Sequence, residues 1–462
     1  TICGQSLIHA ARMDYFSYAE EAGELASFKK IKPPNLIFDY QTSTNMQVPQ
    51  LTKPRIDIVD ALRGFALFGI VIAHMNNQYY AGYPPPGHEN MSVKNGVDAV
   101  LGQLSGIFIE GKFYTIFSFL FGLSFGIQLM NAKERNQPFA GRFAWRLLIL
   151  FGIGLLHQMH YRGDILTVYA VLGFFLLIFH SANNKWLLIW TFIFLLNIPG
   201  ILYQVIEYSR NAGTSVIVSA EAGAGLERLK NDATAYYNHV KSGDYRWIIT
   251  ENIFHEFDNK FLFQLFSGRL FITIGLFLLG LYMARIKLFE RLTQYRQAIR
   301  RWTWISVIAV MVAVAVYFLV GLNTVAGTPQ SIPQVLGLLF TGMFDTALSM
   351  IYVALFLSFA RSDAGMRRVR ALASMGRMGL TTYLVQTVFG LLLFYGYGLN
   401  MLDEIGNSIS FPIGIAILII QMFISKWWMA RYYYGPFEWC WRSATYMKWQ
   451  PFRKKDRSPV VQ

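Results

Sequence analysis

The apolar residues of this chain are gathered into runs long enough to cross a bilayer, and that segregation constrains the fold more than any single motif does. A helix needs roughly 20 predominantly apolar residues to span the hydrocarbon core. Runs of that kind lie at 61–80, 113–131, 143–160, 164–180, 185–207, 268–285, 302–322, 335–360, 377–400 and 410–430. They predict an all-α integral membrane protein of about ten transmembrane helices. Strand-period alternation is absent on this scale, which argues against a β-barrel. Only Tyr161, Arg162 and Gly163 separate the third and fourth runs, which suits a tight helical hairpin. Composition agrees, since 15% of the residues are charged, where an ordinary globular chain carries about a quarter.

The net charge of +14 would suggest nucleic acid if it stood alone. Its placement says otherwise. Basic residues crowd alternate connections: Lys53, Arg55 and Arg63 at the first run, Lys133 to Arg146 between the second and third, Arg285 to Arg301 between the sixth and seventh. Arg361 to Arg377 and then Lys426 to Arg457 continue the series. On the opposite side, 323–334 has no charge and 401–409 only Asp403 and Glu404. The positive-inside rule then puts both termini in the cytoplasm, with anionic lipid as the partner of the basic side and no nucleic acid expected. Cys3 and Cys440 form no disulfide framework or zinc site.

The chain divides accordingly. A first helical half covers 55–207 and a second covers 268–430, each with five expected spans. Between them 208–267 is an extracytoplasmic segment of one or two amphipathic helices, with a turn at Gly243-Asp244. Residues 431–462 mix Trp, Tyr and basic residues, as an interfacial cytoplasmic tail does. Residues 1–45 have no long apolar run and no signal-peptide layout. They are expected to be a disordered tail, with translation starting at Met46 as one explanation and a native cytoplasmic tail as the other.

Polar groups inside apolar runs are costly and mark function by default. Asp60 and Arg63 stand at the mouth of the first run, and His74 lies 11 positions beyond Arg63, about 16 Å further along a helix. A histidine there suits general-base work, because its ordinary pKa lies near neutrality. The plain alternative is a packed histidine bonded to a neighbouring helix. Arg63 suits bidentate phosphate binding or snorkelling to lipid. His157 and His160 share a helix face near Asp164. Two His and one Asp are a weak metal signal, and no metal is expected. Asp345 falls within the eighth run, where it could orient a histidine or pair with an arginine. Gln386 falls within the ninth, above Thr381, Thr382 and Tyr383. Glu110 and Lys112 flank the second run, and Lys260 and Arg269 the sixth. Gly122 and Gly126 make a small-xxx-small pair for close helix packing.

Five stretches resemble the YeiB-type bacterial membrane proteins. They are Asp60-Ala61-Leu62-Arg63-Gly64-Phe65-Ala66, Gly111-Lys112-Phe113-Tyr114 through Gly122, and Gly154-Leu155-Leu156-His157 with Gly163-Asp164-Ile165-Leu166 and Tyr169-Ala170. The last two are Gly376-Arg377-Met378-Gly379 with Thr382-Tyr383 and Gln386, and Gly435-Pro436-Phe437-Glu438-Trp439. That family is similar in turn to a wider group of transmembrane acyltransferases, which includes those that decorate bacterial surface glycans. In these an Asp-x-Leu-Arg motif opens the first span and a deep His follows; here Asp60, Leu62, Arg63 and His74 match. No second arginine motif matches plainly, and Arg142 and Arg146 are the candidates for it.

The resemblance implies transfer of an acyl group from cytoplasmic acyl-CoA, with acetyl-CoA foremost, to an acceptor across a bacterial inner membrane. The acceptor would be an envelope glycan, a lipid or a small molecule with a hydroxyl or amine. Arg63, Arg146 and Arg142 would hold the CoA phosphates. His74 would be the base, oriented by His157, Asp164 or Asp345, with His160, Lys112 and Gln386 near the acceptor. A homo-oligomer is compatible with this reading. A transporter of a small polar or lipid-linked metabolite is the alternative, because two sets of five spans suit an inverted repeat. Against it, no matched pair of broken helices is visible: Pro199-Gly200 interrupts the fifth run, and Pro412 only starts the tenth. A non-catalytic envelope scaffold is a third class, disfavoured by the deep His and Asp.

Overall fold

The computed structural model describes residues 56–211, 215–320 and 332–454. The expected tail at 1–45 lies outside the described residues. Among those described, every regular element is helical, and the only β pairing is an isolated bridge between Tyr432 and Arg453. The first half contains α1 (Asp57–Asn76), α2 (Gly96–Phe108), α3 (Lys112–Glu134), α4 (Ala140–His160), α5 (Leu166–Phe179), α6 (Asn184–Leu195) and α7 (Ile198–Asn211). Then come α8 (Ser215–Ser242), α9 (Tyr245–Phe254) and α10 (Glu256–Phe266). The second half holds α11 (Arg269–Arg285), α12 (Arg296–Val320), α13 (Ile332–Ala360), α14 (Asp363–Arg377), α15 (Gly379–Phe394), α16 (Asn407–Arg431) and α17 (Pro436–Tyr446).

Among the described residues, six helices are long and apolar enough to cross a membrane, or up to eight if each of two bent pairs is one span. Several of the ten expected spans are therefore shorter or broken. The run at 164–180 yields the 14 residues of α5, about 21 Å of helix against a core of about 30 Å. The run at 185–207 is cut in two at Asn197, which takes a positive φ of 53° just before Pro199. Two helix pairs are bent at short breaks: α10–α11 by 74° and α14–α15 by 77°. Both bends fall late in the chain, not at matching places in its two halves.

The outward faces identify the surrounding medium. Only 6% of the apolar window of α12 is buried within the protein, and Trp304, Met311 and Phe318 lie bare on it. A helix apolar all round that buries little of itself needs lipid, not water. The molecule is thus a multi-pass membrane protein.

Inside, α1 is the central post, packed on α3, α13, α14, α15 and α16. Ala61, Leu62, Ala66, Leu67 and Val71 on it are wholly buried. Two close approaches rest on glycine. Gly122 and Gly126 of α3 let the backbone and Ala284 of α11 come so near that a Cβ would collide with Phe277 and Ala284. Gly376 of α14 likewise lies on the Asp60 carbonyl of α1. The small-xxx-small reading of α3 therefore holds. The segment after α7 forms three helices, α8 to α10, where one or two were expected, and Gly243 turns between α8 and α9 at φ 74°.

Candidate functional site

α1 ends in a turn that folds back over its own last histidine. The Tyr79 amide bonds to the His74 carbonyl at 2.8 Å, and both Gln78 and Tyr79 take left-handed φ values of 50° and 52°. Such a conformation costs a non-glycine residue energy, so neighbours must hold it. Gln78 Nε2 donates to the Ile405 carbonyl at 2.7 Å, and Gln78 Oε1 accepts the Asp403 amide at 2.7 Å. The result lays the Tyr79 ring on His74, with centroids 5.0 Å apart and planes at 29°.

Tyr161, the residue that caps α4, comes edge-on to the same imidazole at 5.5 Å. Its hydroxyl shares a hydrogen bond of 3.0 Å with His74 Nδ1. Tyr383 of α15 closes the ring at 6.5 Å from His74 and also lies 5.1 Å from His157. His157 touches Tyr161 at 5.8 Å. Two tyrosines are thus shared by two histidines.

His157 is held at both nitrogens. Nδ1 meets Asp164 Oδ1 at 2.7 Å, and Nε2 meets Thr387 Oγ1 at 3.0 Å. A carboxylate accepts only, so Nδ1 carries the proton and Asp164 fixes the tautomer. Asp164 also caps α5, accepting from the amides of Leu166 (3.1 Å) and Thr167 (2.8 Å) and from the Thr167 hydroxyl (2.7 Å). Lys260 Nζ of α10 stands 3.7 Å from Asp164 Oδ2 and donates to Gln158 Oε1 and Thr167 Oγ1. The buried carboxylate is therefore paired and bonded, as burial of a charge demands.

Not every expected residue joins this cluster. Asp345 orients no histidine: it pairs with Lys112 at 2.8 Å, beside Gly111. Both belong to the α3–α13 contact, where Ser349 also bonds the Lys112 carbonyl. His160 turns back to the Leu156 carbonyl of its own helix at 2.8 Å, with Tyr245 against its ring. Gln386 donates to Gln421 of α16 at 2.9 Å, one residue from Thr387.

At the other end of α1 the charges are paired. Arg63 bridges Asp60 and Ser124 of α3. Arg377 of α14 holds Asp57 at 2.6 Å and Asp60 at 3.4 Å. α17 folds against α4 beside them. Arg146 lies 3.7 Å over the Trp441 ring, whose Nε1 donates to the Arg146 carbonyl at 3.0 Å. Arg142 and Arg442 both stand over Tyr446, at 5.4 and 5.1 Å. Glu438 caps α15 by accepting the Leu380 and Thr381 amides at 2.7 and 3.0 Å. Burial pushes its carboxyl pKa up, only partly opposed by the Thr381 hydroxyl and amide. Three of the sequence motifs thereby touch: the first meets the Gly376-Arg377 motif through Asp60, and that motif meets the last through Glu438.

Over the His74 end lie α8 to α10. Arg162 is sandwiched between Tyr80 (4.6 Å) and Tyr236 (3.6 Å) and pairs with Glu256 at 3.3 Å. Asp403, in the loop before α16, takes Lys94 at 2.6 Å and His88. Burial works against its charge, but these hydrogen bonds hold its carboxyl below the usual range.

A family described as a protein of unknown function, DUF418, matches residues 283–448. The uncharacterized protein YxaH of Bacillus subtilis (strain 168) is 28% identical over 430 residues, covering 88% of this chain and 98% of that protein. An uncharacterized 39.9 kDa protein in the amylase 3' region of Bacillus acidopullulyticus is 26% identical over 409 residues, covering 87% of this chain and 96% of that one. The uncharacterized protein YeiB of Escherichia coli (strain K12) is 35% identical over 94 residues, 20% of this chain and 24% of its own. No solved structure matches the chain.

Proposed function

We propose, from the match to the DUF418 family model and the likeness to YxaH and YeiB that support a YeiB-type family, that the chain is a membrane acyltransferase. It moves an acyl group from cytoplasmic acyl-CoA to an acceptor hydroxyl or amine on the far side of a bacterial inner membrane. The orientation is both termini inside, from the row of basic connections. The observation that carries the reading is the pairing of an arginine mouth with an aromatic histidine chamber on one helix. Arg63 lies near the start of α1 and His74 in its last turn, about 16 Å apart along the axis.

Tyr161 engages His74 Nδ1, which leaves Nε2 to act on substrate. Nε2 takes the proton as the acceptor oxygen or nitrogen forms its bond to the thioester carbon. The carbon–sulfur bond breaks, and the departing thiolate receives that proton. Asp164 and Thr387 fix the neighbouring His157, and Tyr161 and Tyr383 transmit that order to His74. Among the described residues the buried Tyr79 hydroxyl has no hydrogen-bond partner, a cost that a bound acceptor would relieve. At the mouth, Arg146 and Arg142 stand ready for the CoA phosphates, while Arg63 must exchange Asp60 for one. Acetyl-CoA is the first donor to test.

The test supplies radiolabelled acetyl-CoA to membranes containing the full chain. His74→Ala is expected to abolish the labelled product while expression and thermal stability persist; undiminished labelling would remove His74 from the mechanism. A transport reading draws support from the two bent helix pairs, since interrupted helices line substrate sites in transporters. Counterflow in reconstituted vesicles without acyl-CoA would favour it over acyl transfer.

A further inference from the structure

The residues that follow two of the chamber tyrosines pack over the chamber's outer end. Tyr79 and Tyr161 meet His74. Their neighbours Tyr80 and Arg162 meet each other, with the guanidinium carbon 4.6 Å from the Tyr80 ring centroid. The two stretches run side by side because Gly163 has no side chain. A Cβ there would lie 2.5 Å from the Tyr161 hydroxyl and 2.7 Å from the Ala81 Cβ. Tyr236 of α8 stacks on Arg162 at 3.6 Å. Gly82 also lies against the guanidinium, since a Cβ on it would stand 2.3 Å from Nη2 and 2.5 Å from Cζ.

Arg162 is 7% exposed, yet its hydrogen bonding is incomplete. Nη1 donates to Glu256 Oε1 at 3.3 Å. Nε and Nη2 are buried and, among the described residues, have no hydrogen-bond partner. The oxygens nearest by sequence are spent elsewhere as donors: the Tyr80 hydroxyl on the Ala233 carbonyl at 3.1 Å, and the Tyr236 hydroxyl on Asn252 Oδ1 at 3.1 Å. Nε and Nη2 belong to one planar group, and their N–H bonds point the same way along one edge. That edge matches the two oxygens of a carboxylate or phosphate. Leaving buried donors of a cation unbonded is costly. A purely structural ion pair would place a carboxylate along this edge, whereas Glu256 takes the remaining nitrogen. Gly82, which touches the guanidinium, is itself exposed, so the group lies one residue beneath the surface.

We propose that Arg162 binds an oxyanion, a carboxylate or phosphate group of the acceptor, on its Nε–Nη2 edge. Displacement of Gly82 and its loop opens that edge. The acceptor is then an anionic compound that carries the reacting hydroxyl or amine. Its charged group is held beside Tyr161, whose hydroxyl engages His74, so the anchor and the reacting end fall at adjacent residues. Glu256 opposes this binding, because its carboxylate repels the incoming anion. That the anion belongs to an acceptor rests on the acyl-transfer reading; the oxyanion site itself does not.

The experiment uses the full chain in lipid nanodiscs without acyl-CoA. Thermal unfolding is followed with inorganic phosphate, glucuronate or neutral glucose at matched ionic strength. A saturable rise in Tm is expected with phosphate or glucuronate and none with glucose. The anion with the larger response identifies which group the acceptor carries. Phosphate can also meet the cytoplasmic arginines, so the assignment rests on the difference between the parent chain and Arg162→Lys. That variant keeps a charge for Glu256 but lacks the edge, and its anion affinity should fall about tenfold or more. Glu256→Gln removes the opposing carboxylate and should raise the affinity about threefold; it carries the test alone should Arg162→Lys fail to fold. No response of the parent chain to either anion would overturn the proposal, as would unaltered affinity in these variants. Anion binding without labelled product from acetyl-CoA would sink acyl transfer and leave the oxyanion site standing.

Discussion

Asp164 accepts from two backbone amides, a hydroxyl and an imidazole, with Lys260 close by. It serves at once as the cap of α5 and as the group that sets the His157 tautomer. Asp164→Asn separates these roles. The amide oxygen can still accept from the α5 terminus, but the charge that holds His157 Nδ1–H and attracts Lys260 is gone. Losing such charge-assisted bonds costs about 1–3 kcal/mol, a modest drop in Tm. If acyl transfer runs through His74, the rate should fall by about 100-fold or more, with a shifted pH–rate profile and little change in KM. A Tm drop with an unchanged pH profile would confine Asp164 to a structural role. The histidines and Asp164 were legible in the sequence because ionisable groups are rare in apolar runs. Tyr79, Tyr161 and Tyr383 were not singled out as partners of His74. Among 25 tyrosines in the chain, nothing local marks the three that a turn, a helix cap and a distant helix bring to one imidazole.

Among the elements, the α3–α11 pair shows how far periodicity carries. Gly122 and Gly126 were readable as a packing motif, and the structure gives α11 as their partner. Gly122→Leu places a large side chain against the Phe277 backbone, where no rotamer can relieve it. The cost should be several kcal/mol, in the range of strongly overpacked cores. The expected outcome is a large loss of folded protein by size-exclusion chromatography, with Leu120→Met on the same helix tolerated as a volume-conserving control. Wild-type yield and stability in the Gly122 variant would mean that α3 and α11 do not pack this closely. The sequence hides α14 for the opposite reason. Its Arg367, Arg368 and Arg370 made 361–377 look like a basic connection. Its buried Gly365, Val369, Ala373 and Gly376 nevertheless repeat at helical spacing along α1. That signal was present, but charge outweighed it in the reading of hydropathy. The short helices α5 and α6 err the other way. Each is apolar enough to be counted as a span, and only geometry shows that each stops short.

At the scale of the whole molecule, the proposed orientation rests on an asymmetry of charge that no contact inside the protein reports. The Arg63 mouth, α14 and α17 gather at one end, and the Arg162–Asp403 region and α8 to α10 at the other. The positive-inside rule assigns the first end to the cytoplasm because short basic connections resist translocation. The proposed acyl transfer needs that assignment, since the arginines would then meet a cytoplasmic donor while His74 would face an acceptor from outside. Cys440 offers a direct check. It is a free, exposed thiol on α17, and in a chain with Cys3→Ser it is the remaining cysteine. A membrane-impermeant maleimide should label it in inverted vesicles, and in intact spheroplasts only after the membrane is permeabilised. A cysteine introduced at exposed Glu404 should give the reverse pattern, with Cys440→Ser removing the background. Labelling of Cys440 from outside would invert the molecule. It would then put the arginine mouth on the side where no CoA is available and leave the transport reading as the better account of the same histidine chamber.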